Sequence, residues 1–382
     1  MATFSDLRPN QVGSFQLLAT SGRLVPETSD SFEILADGGG NDPLGFLFSA
    51  NRGGSGGPAG NPARADPGRW HAGPQRLVEA TNVTPTDLRR LGDTLYAAVA
   101  GAEPGRQSKV TRFSIDTTDG TLMNEGSTSP GFDHGNGPIQ LTSNGNDALF
   151  LLTGSVMQIT GMQVDPGTGA IANQTSQSPA GAGNLFAIDA LRGTGGNPDL
   201  VFVGDQGLGG DNDLWVMMYD RSANPPTLSN GVLTETPGIP GRVEGLKVVG
   251  NRLYMTSSAA PGTITRADID PATGALSNLT HAHTYATVGV PFRMLVVGDL
   301  MFVTHRAGNG VSTLRIEADG DLTLLSETPP GSTGNPNEMT HALRGDGTLL
   351  LYVSTEAGLE FFTVNSTTGV LTPLAARPSP AS

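Results

Sequence analysis

Residues 250–257 read Gly-Asn-Arg-Leu-Tyr-Met-Thr-Ser, and a short interval later residues 269–276 read Ile-Asp-Pro-Ala-Thr-Gly-Ala-Leu. The first stretch is a turn followed by an apolar run with an aromatic at its centre, which reads as a buried strand. The second is a strand ending in Asp270, a few small residues, Gly274, and another apolar strand. An Asp carboxylate at that place accepts the amide hydrogens of the turn. A Gly supplies the positive φ that lets the chain reverse, so the stretch reads as a hairpin.

Both stretches recur. The apolar run returns as Gly45-Phe46-Leu47-Phe48, Thr94-Leu95-Tyr96-Ala97, Ala148-Leu149-Phe150-Leu151, Leu200-Val201-Phe202-Val203, Leu300-Met301-Phe302-Val303 and Leu350-Leu351-Tyr352-Val353. With Tyr254, the aromatic stands at 48, 96, 150, 202, 254, 302 and 352, in steps of 48, 54, 52, 52, 48 and 50. The hairpin returns as Ile115-Asp116 to Leu122, Val164-Asp165 to Ile171 and Val364-Asn365 to Leu371, with weaker copies over Asp220 to Leu228 and Ile316 to Leu322. A further short strand precedes each apolar run: Ser31 to Leu35, Thr84 to Leu88, Gly137 to Leu141, Asn184 to Ile188, Arg242 to Val248, Pro291 to Val297 and Glu338 to Leu343.

Each period of about 50 residues therefore holds four strands, the pattern of one propeller blade. The 3.6-residue apolar period of a helical solenoid is absent. Seven copies predict an all-β, seven-bladed β-propeller with four-stranded antiparallel blades around a central channel, residues 1–382 forming a single domain. No blade buries both its faces alone, so stacking of neighbours must carry the stability. Residues 1–30 hold an extra hairpin, Phe15 to Glu27 with its turn at Ser21-Gly22-Arg23-Leu24, expected to help close the ring. Residues 51–72 form a Gly/Pro-rich excursion, read as a flexible loop or a lid over one channel mouth.

Composition narrows the function. The chain has 22 basic and 36 acidic residues, a net charge of −14, which argues against nucleic acid or an anionic membrane as partner. The 53 Gly and 27 Pro fit a turn-dense chain and disfavour long helices. With no Cys there is no disulfide, thiolate metal site or Cys nucleophile. No apolar run approaches the roughly 18 residues of a membrane span. No signal peptide is visible at the N-terminus, so the expectation is a cytoplasmic protein, with a mature secreted form left open.

The hairpin text Asp-x-x-Thr-Gly-x-Leu behind an apolar strand, repeated about every 50 residues, resembles the lactonase family of seven-bladed propellers. That family includes 6-phosphogluconolactonase-like and carboxymuconate lactonizing enzymes. The resemblance covers nearly the whole chain and implies a lactonase-like hydrolase or cycloisomerase. Its motifs map in part. Val203-Gly204-Asp205-Gln206-Gly207 is similar to the family's Asp-x-Gly. Pro240-Gly241-Arg242-Val243 keeps the arginine of Gly-Pro-Arg-His but lacks the histidine, and Thr304-His305-Arg306-Ala307-Gly308 keeps that of Asn-Arg-Gly. The family's carboxylate has no counterpart in Tyr254 to Ser258, nor its histidine in Gly183-Asn184-Leu185-Phe186. The anion-holding arginines survive, and the acid/base pair does not.

The loops that enter the first strand of a blade and leave its second strand gather at one mouth of a propeller. Arg52, Asp205, Arg242, Glu244, Arg293 and Arg306 fall at such places, as do His134, His283, His305 and His341. Arginines so placed hold carboxylate or phosphate by paired hydrogen bonds, or else pair with neighbouring acids. The expected substrate-binding set is Arg242, Arg306, Arg52, Arg293, Glu244 and His134, with Asp205, His305 and His341 as the catalytic candidates. His281-Ala282-His283 would present two rings on one face of a straight strand, a metal pair or two structural histidines. No cofactor is expected beyond a structural cation near Asp205, Asp211 and Asp213. Gly53-Gly54-Ser55-Gly56-Gly57 matches the text of a nucleophile elbow without its strand and helix, so it reads as a linker. The function expected is a hydrolase or cycloisomerase acting on a small anionic lactone, in a monomer or weak oligomer. The alternative is a non-catalytic binding propeller.

Overall fold

A computed structural model of the chain describes residues 83–374 apart from 102–108, 117–121, 130–138, 155, 206–212, 236–241, 258–260, 286–288, 307–309, 329–335, 344–346 and 356–357. Before residue 83 it describes the backbone of short strands only.

Among the described residues six antiparallel blades follow one another, all-β and propeller-like. Blade I holds Val83–Leu91, Thr94–Gly101, Lys109–Ile115 and Leu122–Thr128. Blade II holds Ile139–Ser143, Ala148–Thr153, Gln158–Val164 and Ile171–Gln177. Blade III holds Leu185–Leu191, Asp199–Asp205 and Asp213–Asp220, and its outer edge is split into Thr227–Leu228 and Val232–Glu235. Blade IV holds Val243–Val249, Arg252–Ser257, Thr263–Ile269 and Leu276–Thr284. Blade V holds Pro291–Val297, Leu300–His305, Gly310–Ile316 and Leu322–Thr328. Blade VI holds Pro336–Leu343, Leu349–Thr355, Gly358–Val364 and Leu371–Pro373. The first strands of successive blades lie against one another and so form the inner wall.

The apolar second strands are continuous runs because both their faces are covered. Ala148–Thr153, Asp199–Asp205 and Leu300–His305 are buried at every residue. Alternate side chains enter alternate seams. Leu253 and Met255 pack toward blade III, whereas Tyr254 packs toward blade V. In blades I to V the repeating aromatic faces the next blade: Tyr96 packs with blade II, Phe150 with blade III, Phe202 with blade IV, Tyr254 with blade V and Phe302 with blade VI. Five such two-blade seams result, and blade I carries a sixth cluster on its other face, around Leu95, Val99 and Phe113.

The hairpin turns do a second job. Asp165, Asp270 and Asn365 each accept turn amides, at 2.8–2.9 Å from Gly167 and Thr168, 2.9 Å from Ala272, and 3.0 Å from Thr367 and Thr368. Gly169, Gly274 and Gly369 follow with φ of 68, 74 and 70°. These turns dock on the preceding blade. Tyr96 Oη donates to the Gly169 carbonyl at 2.6 Å, Tyr254 Oη to that of Gly320 at 2.9 Å, and Ser326 Oγ to that of Gly369 at 2.6 Å. The two repeated stretches are thus halves of one joint, the apolar run of one blade receiving the turn of the next. Side chains tie the inner wall in the same sense. From inner strands Asp87 accepts from Leu141 N–H and Asp189 from Val248 N–H, both at 2.8 Å, and from a second strand Thr304 Oγ1 donates to Asn337 O at 3.1 Å.

Some expectations change. The weak hairpin copy after Asp220 is a capped loop with a divided outer edge: Asp220 accepts from Ser222 N–H and its hydroxyl as the other turn acids do, but Asn224-Pro225-Pro226 stands where they have the closing Gly. In blade V the turn is closed at Glu317, whose carbonyl takes Gly320 N–H at 2.9 Å. Near the N-terminus Leu18–Ser21 pairs with Leu24–Thr28, the hairpin the sequence suggests, and Phe32–Ile34 pairs with Gly13–Phe15. Within and beside residues 51–72, Ala63–Asp66 pairs with Arg69–Ala72 and Ala59–Gly60 with Arg76–Leu77. The apolar run at 45–48 lies outside the described residues.

Candidate functional site

One irregularity repeats around the inner wall. In blade IV Val243 pairs with Ser257 and Gly245 with Thr256, so Glu244 is an inserted residue. The same one-residue slip leaves Phe186 extra in blade III and Thr86 in blade I, and sets Phe292 and Arg293 against the single Thr304 in blade V and Asn337 and Glu338 against the single Ser354 in blade VI. A β-bulge re-aims the side chain it adds and is common beside functional sites. Five of the six described inner strands carry such a bulge, the strand of blade II running in register, and the bulges bring Phe186, Glu244, Phe292, Arg293 and Glu338 together.

Arg306, just past the second strand of blade V, completes the group. Its Nη1 lies 3.3 Å from Glu244 Oε2, with the Arg306 side chain 46% exposed and that of Glu244 7%. The guanidinium carbon of Arg306 stands 4.0 Å from the Phe292 ring centre and 5.1 Å from that of Phe186. Arg293 takes a parallel place, 4.4 and 5.6 Å from the same rings. It is the more deeply set cation, 2.9 Å from Glu338 Oε1, and its Nη1 donates to the Glu244 carbonyl at 3.4 Å. Two guanidiniums thus share a pair of aromatic faces, an arrangement that fixes their planes and leaves their N–H edges for acceptors. Gly245 makes the approach possible, since a Cβ there would run into the Phe292 carbonyl, which also accepts from Thr256 Oγ1 at 2.8 Å.

Burial pushes the Glu244 carboxyl above its ordinary range, against the pull of Arg306, Arg293 and Arg242. Asp87 is pushed up to about 6 by burial, with Arg89 opposing and Glu338 reinforcing the rise. The mouth therefore combines three arginines with two carboxyls whose protonated form is favoured by burial. Such a place can bind an anion and relay a proton.

Of the residues singled out from sequence, Arg242, Glu244, Arg293 and Arg306 come together here. Asp205 is buried in blade III, where its two oxygens accept Gly183 and Asn184 N–H, both at 2.7 Å, anchoring the approach to Phe186. His341 is exposed on the inner strand of blade VI. His305 is corrected: although next to Arg306 in sequence, its ring turns into the seam between blades IV and V. There it stacks edge-on with Tyr285 at 4.7 Å and meets Ser312 Oγ at 2.7 Å. Burial and His283 lower it to about 4. The His281–His283 pair is also corrected, because a register slip sets His283 opposite Ile264 and His281 opposite Thr265, on opposite faces. Among the described residues no group of three potential ligands forms. Arg52, His134, Asp211 and the 53–57 stretch lie outside the described residues, and the side chain of Asp213 is not described.

Sequence reasoning passed over Phe186, Phe292, Glu338 and Asp87. An aromatic at the entry of two inner strands, each one residue off the alternation, was the available hint.

A surface cleft of about 370 Å³ lies elsewhere, at the outer edge of blade III, lined by Gly196, Met218, Asp220 and Ser229 among others. It brings no cluster of charged groups to compare with the mouth.

Solved structures share this architecture. A periplasmic gluconolactonase of Pseudomonas aeruginosa superposes with a TM-score of 0.67 at 18% identity, covering 86% of this chain and 94% of that one. A putative 6-phosphogluconolactonase of Bacteroides fragilis gives 0.63 at 16%, covering 86% and 92%. One from Bacteroides uniformis gives 0.62 at 13%, covering 85% and 93%. The fold is that of the lactonase-like propellers. At these identities the likeness of this chain to them is one of fold alone. No family model and no curated protein sequence matches it.

Proposed function

We propose that the chain is a lactonase-like hydrolase that opens the lactone of a small anionic sugar acid or organic acid at the bulged mouth of the propeller. The observation that carries this reading is the Glu244–Arg306–Arg293 constellation, stacked on Phe186 and Phe292, in a fold shared with a gluconolactonase. Arg306 and Arg242 hold the anionic group and draw charge from the lactone carbonyl as water attacks it. Glu244, its carboxyl raised by burial, takes the water's proton and returns it to the ring oxygen as the C–O bond breaks. A hydroxy acid leaves, with atoms and protons balanced. In this scheme Asp205 is a support for the Phe186 loop, not a catalyst. The seven repeats of the aromatic, from Phe48 to Tyr352, support a ring of seven blades.

A second reading has its own support. Arg306 and Arg293 are already matched to Glu244 and Glu338, as in a propeller that binds without turnover. A titration of lactonase activity over gluconolactone and phosphorylated or carboxylated lactones, alongside calorimetry with the product acids, separates the two. The hydrolase reading expects turnover that Arg306→Ala lowers roughly a hundredfold and Glu244→Gln removes while binding persists. Product binding without turnover in the unaltered protein supports the binding propeller.

A further inference from the structure

The residues Thr304-His305-Arg306 form a junction whose three side chains go three ways. Thr304 Oγ1 bonds Asn337 O of blade VI at 3.1 Å and accepts Arg293 N–H at 3.1 Å. His305 turns into the seam with blade IV, and Arg306 turns to the mouth. The Arg306 backbone is itself pinned, its N–H 2.9 Å from Val290 O. The remaining side-chain anchor of this junction is the packing of the His305 ring, one peptide bond from Arg306.

The His305 ring is held by a buried column of rings. Tyr285 stands edge-on to His305 at 4.7 Å and to His283 at 4.6 Å. His305 Nε2 meets Ser312 Oγ at 2.7 Å, and around them lie Ile264, Met301, Val303 and Leu314. The column is 1% exposed at Tyr285 and 7% at His305, out of reach of any substrate. We propose that His305 is a positioning residue, a proton-sensitive latch that fixes Arg306 for anion binding while its ring is neutral and releases it when the ring is protonated. This rests on the reading that Arg306 holds the anion.

The groups facing the latch agree with this. On blade IV they are His283 and the Tyr285 hydroxyl. On blade V they are Ser312 and Glu327, which lie opposite each other across the third and outer strands. A proton on His305 brings a charge among apolar side chains beside another histidine, with Glu327 acting on His283 and Tyr285. The depressed value, about 4, means that the neutral form is the one this packing accepts.

Glu244 and Asp87 are acids with raised values near these arginines, and Glu338 is paired with Arg293, so a pH profile alone decides nothing; comparison with His305→Gln does. The Arg306 Nε–H resonance of the full chain, assigned by its loss in Arg306→Lys, is followed by NMR from pH 7 to 3.5. Gluconate and inorganic phosphate affinities are measured at the same pH values. The expected result is a component of the Arg306 shift with its midpoint near 4 and a several-fold loss of affinity, both missing in His305→Gln. Identical titrations in the two proteins overturn the latch and leave the anion site standing. If neither anion binds at pH 7, the anion reading fails, and the resonance alone judges the latch. Should His305→Gln not fold, Ser312→Ala replaces it: weaker anion binding at pH 7 with the fold retained is expected, and unchanged affinity overturns the latch.

Discussion

Gly274→Ala tests the joint on which the ring depends. Gly274 closes the hairpin of blade IV with φ of 74°, and a Cβ there would stand 2.7 Å from Val216 Cγ1 and 3.2 Å from Leu200 Cδ2, both of blade III. The left-handed conformation costs an alanine about 1 kcal/mol or somewhat more. Pressing a methyl into a packed seam adds about 2 kcal/mol. The loss of chain freedom in the unfolded state offsets only a few tenths. The expected destabilisation is therefore about 3 kcal/mol. Gly250→Ala supplies the control, because φ is 56° there and nothing lies within 4 Å of the added carbon. It should cost about 1 kcal/mol, from strain alone. With a urea slope of about 3 kcal/mol/M, the unfolding midpoints should fall by about 1 M and 0.3 M. Equal shifts in the two variants, with equal slopes, would refute the claim that the hairpin turns dock on the preceding blade.

Tyr254→Phe removes the buried donor to Gly320 O and should destabilise by about 1–2 kcal/mol in urea melts, with Tyr96→Phe giving a similar value at Gly169. The turn carboxylates predict the acid limb of stability. Asp270 is held below its ordinary value by the Ala272 amide and the Thr273 hydroxyl, so its contribution is present above the unfolded value of 3.8 and is lost as pH falls through the lower folded one. Asp270→Asn keeps the acceptor, as Asn365 does in blade VI, and should flatten that limb in melts recorded from pH 5 to 2. His305 acts in a higher window. Its folded value lies below the unfolded 6.5, so stability should fall as pH drops from about 6.5 to 4, by up to about 3 kcal/mol, and His305→Gln should remove that slope.

The repeat was legible because each of its parts answers to a local rule. A continuous apolar run marks a strand covered on both faces, and Asp, small residues and Gly mark a turn. The strand proposed over Pro291 to Val297 is the strand observed. The rule weakened where the turn text departs from it. Glu317 stands for Asp in a blade V turn one residue shorter, closed by its backbone carbonyl, and Asn224-Pro225-Pro226 replaces the closing Gly after Asp220 in blade III. His305 misled for a different reason. Its neighbour Arg306 does reach the mouth, but successive residues at the end of a strand point to different sides, and only the seam decides which of them is buried.

The mouth was less legible than the blades because a bulge leaves only a faint mark, an aromatic one residue off the alternation in two strands. A strict two-residue period would place Glu244 on the face opposite Val243 and Gly245, inside a seam, where an unpaired carboxylate is costly. The insertion lifts it out of the ladder instead, and Arg306 from the next blade meets it. The same slip at Phe186 and Phe292 gives the arginines their aromatic faces, and at Glu338 it gives Arg293 its counter-charge. No blade owns this site: Phe186 comes from blade III, Glu244 from IV, both stacked arginines from V and Glu338 from VI. Its geometry is consequently a property of the seams, held by Gly245 against Phe292 and by Thr304 against Asn337. Contacts far from any ligand, such as the ring column around His305, can therefore decide where the charged groups stand.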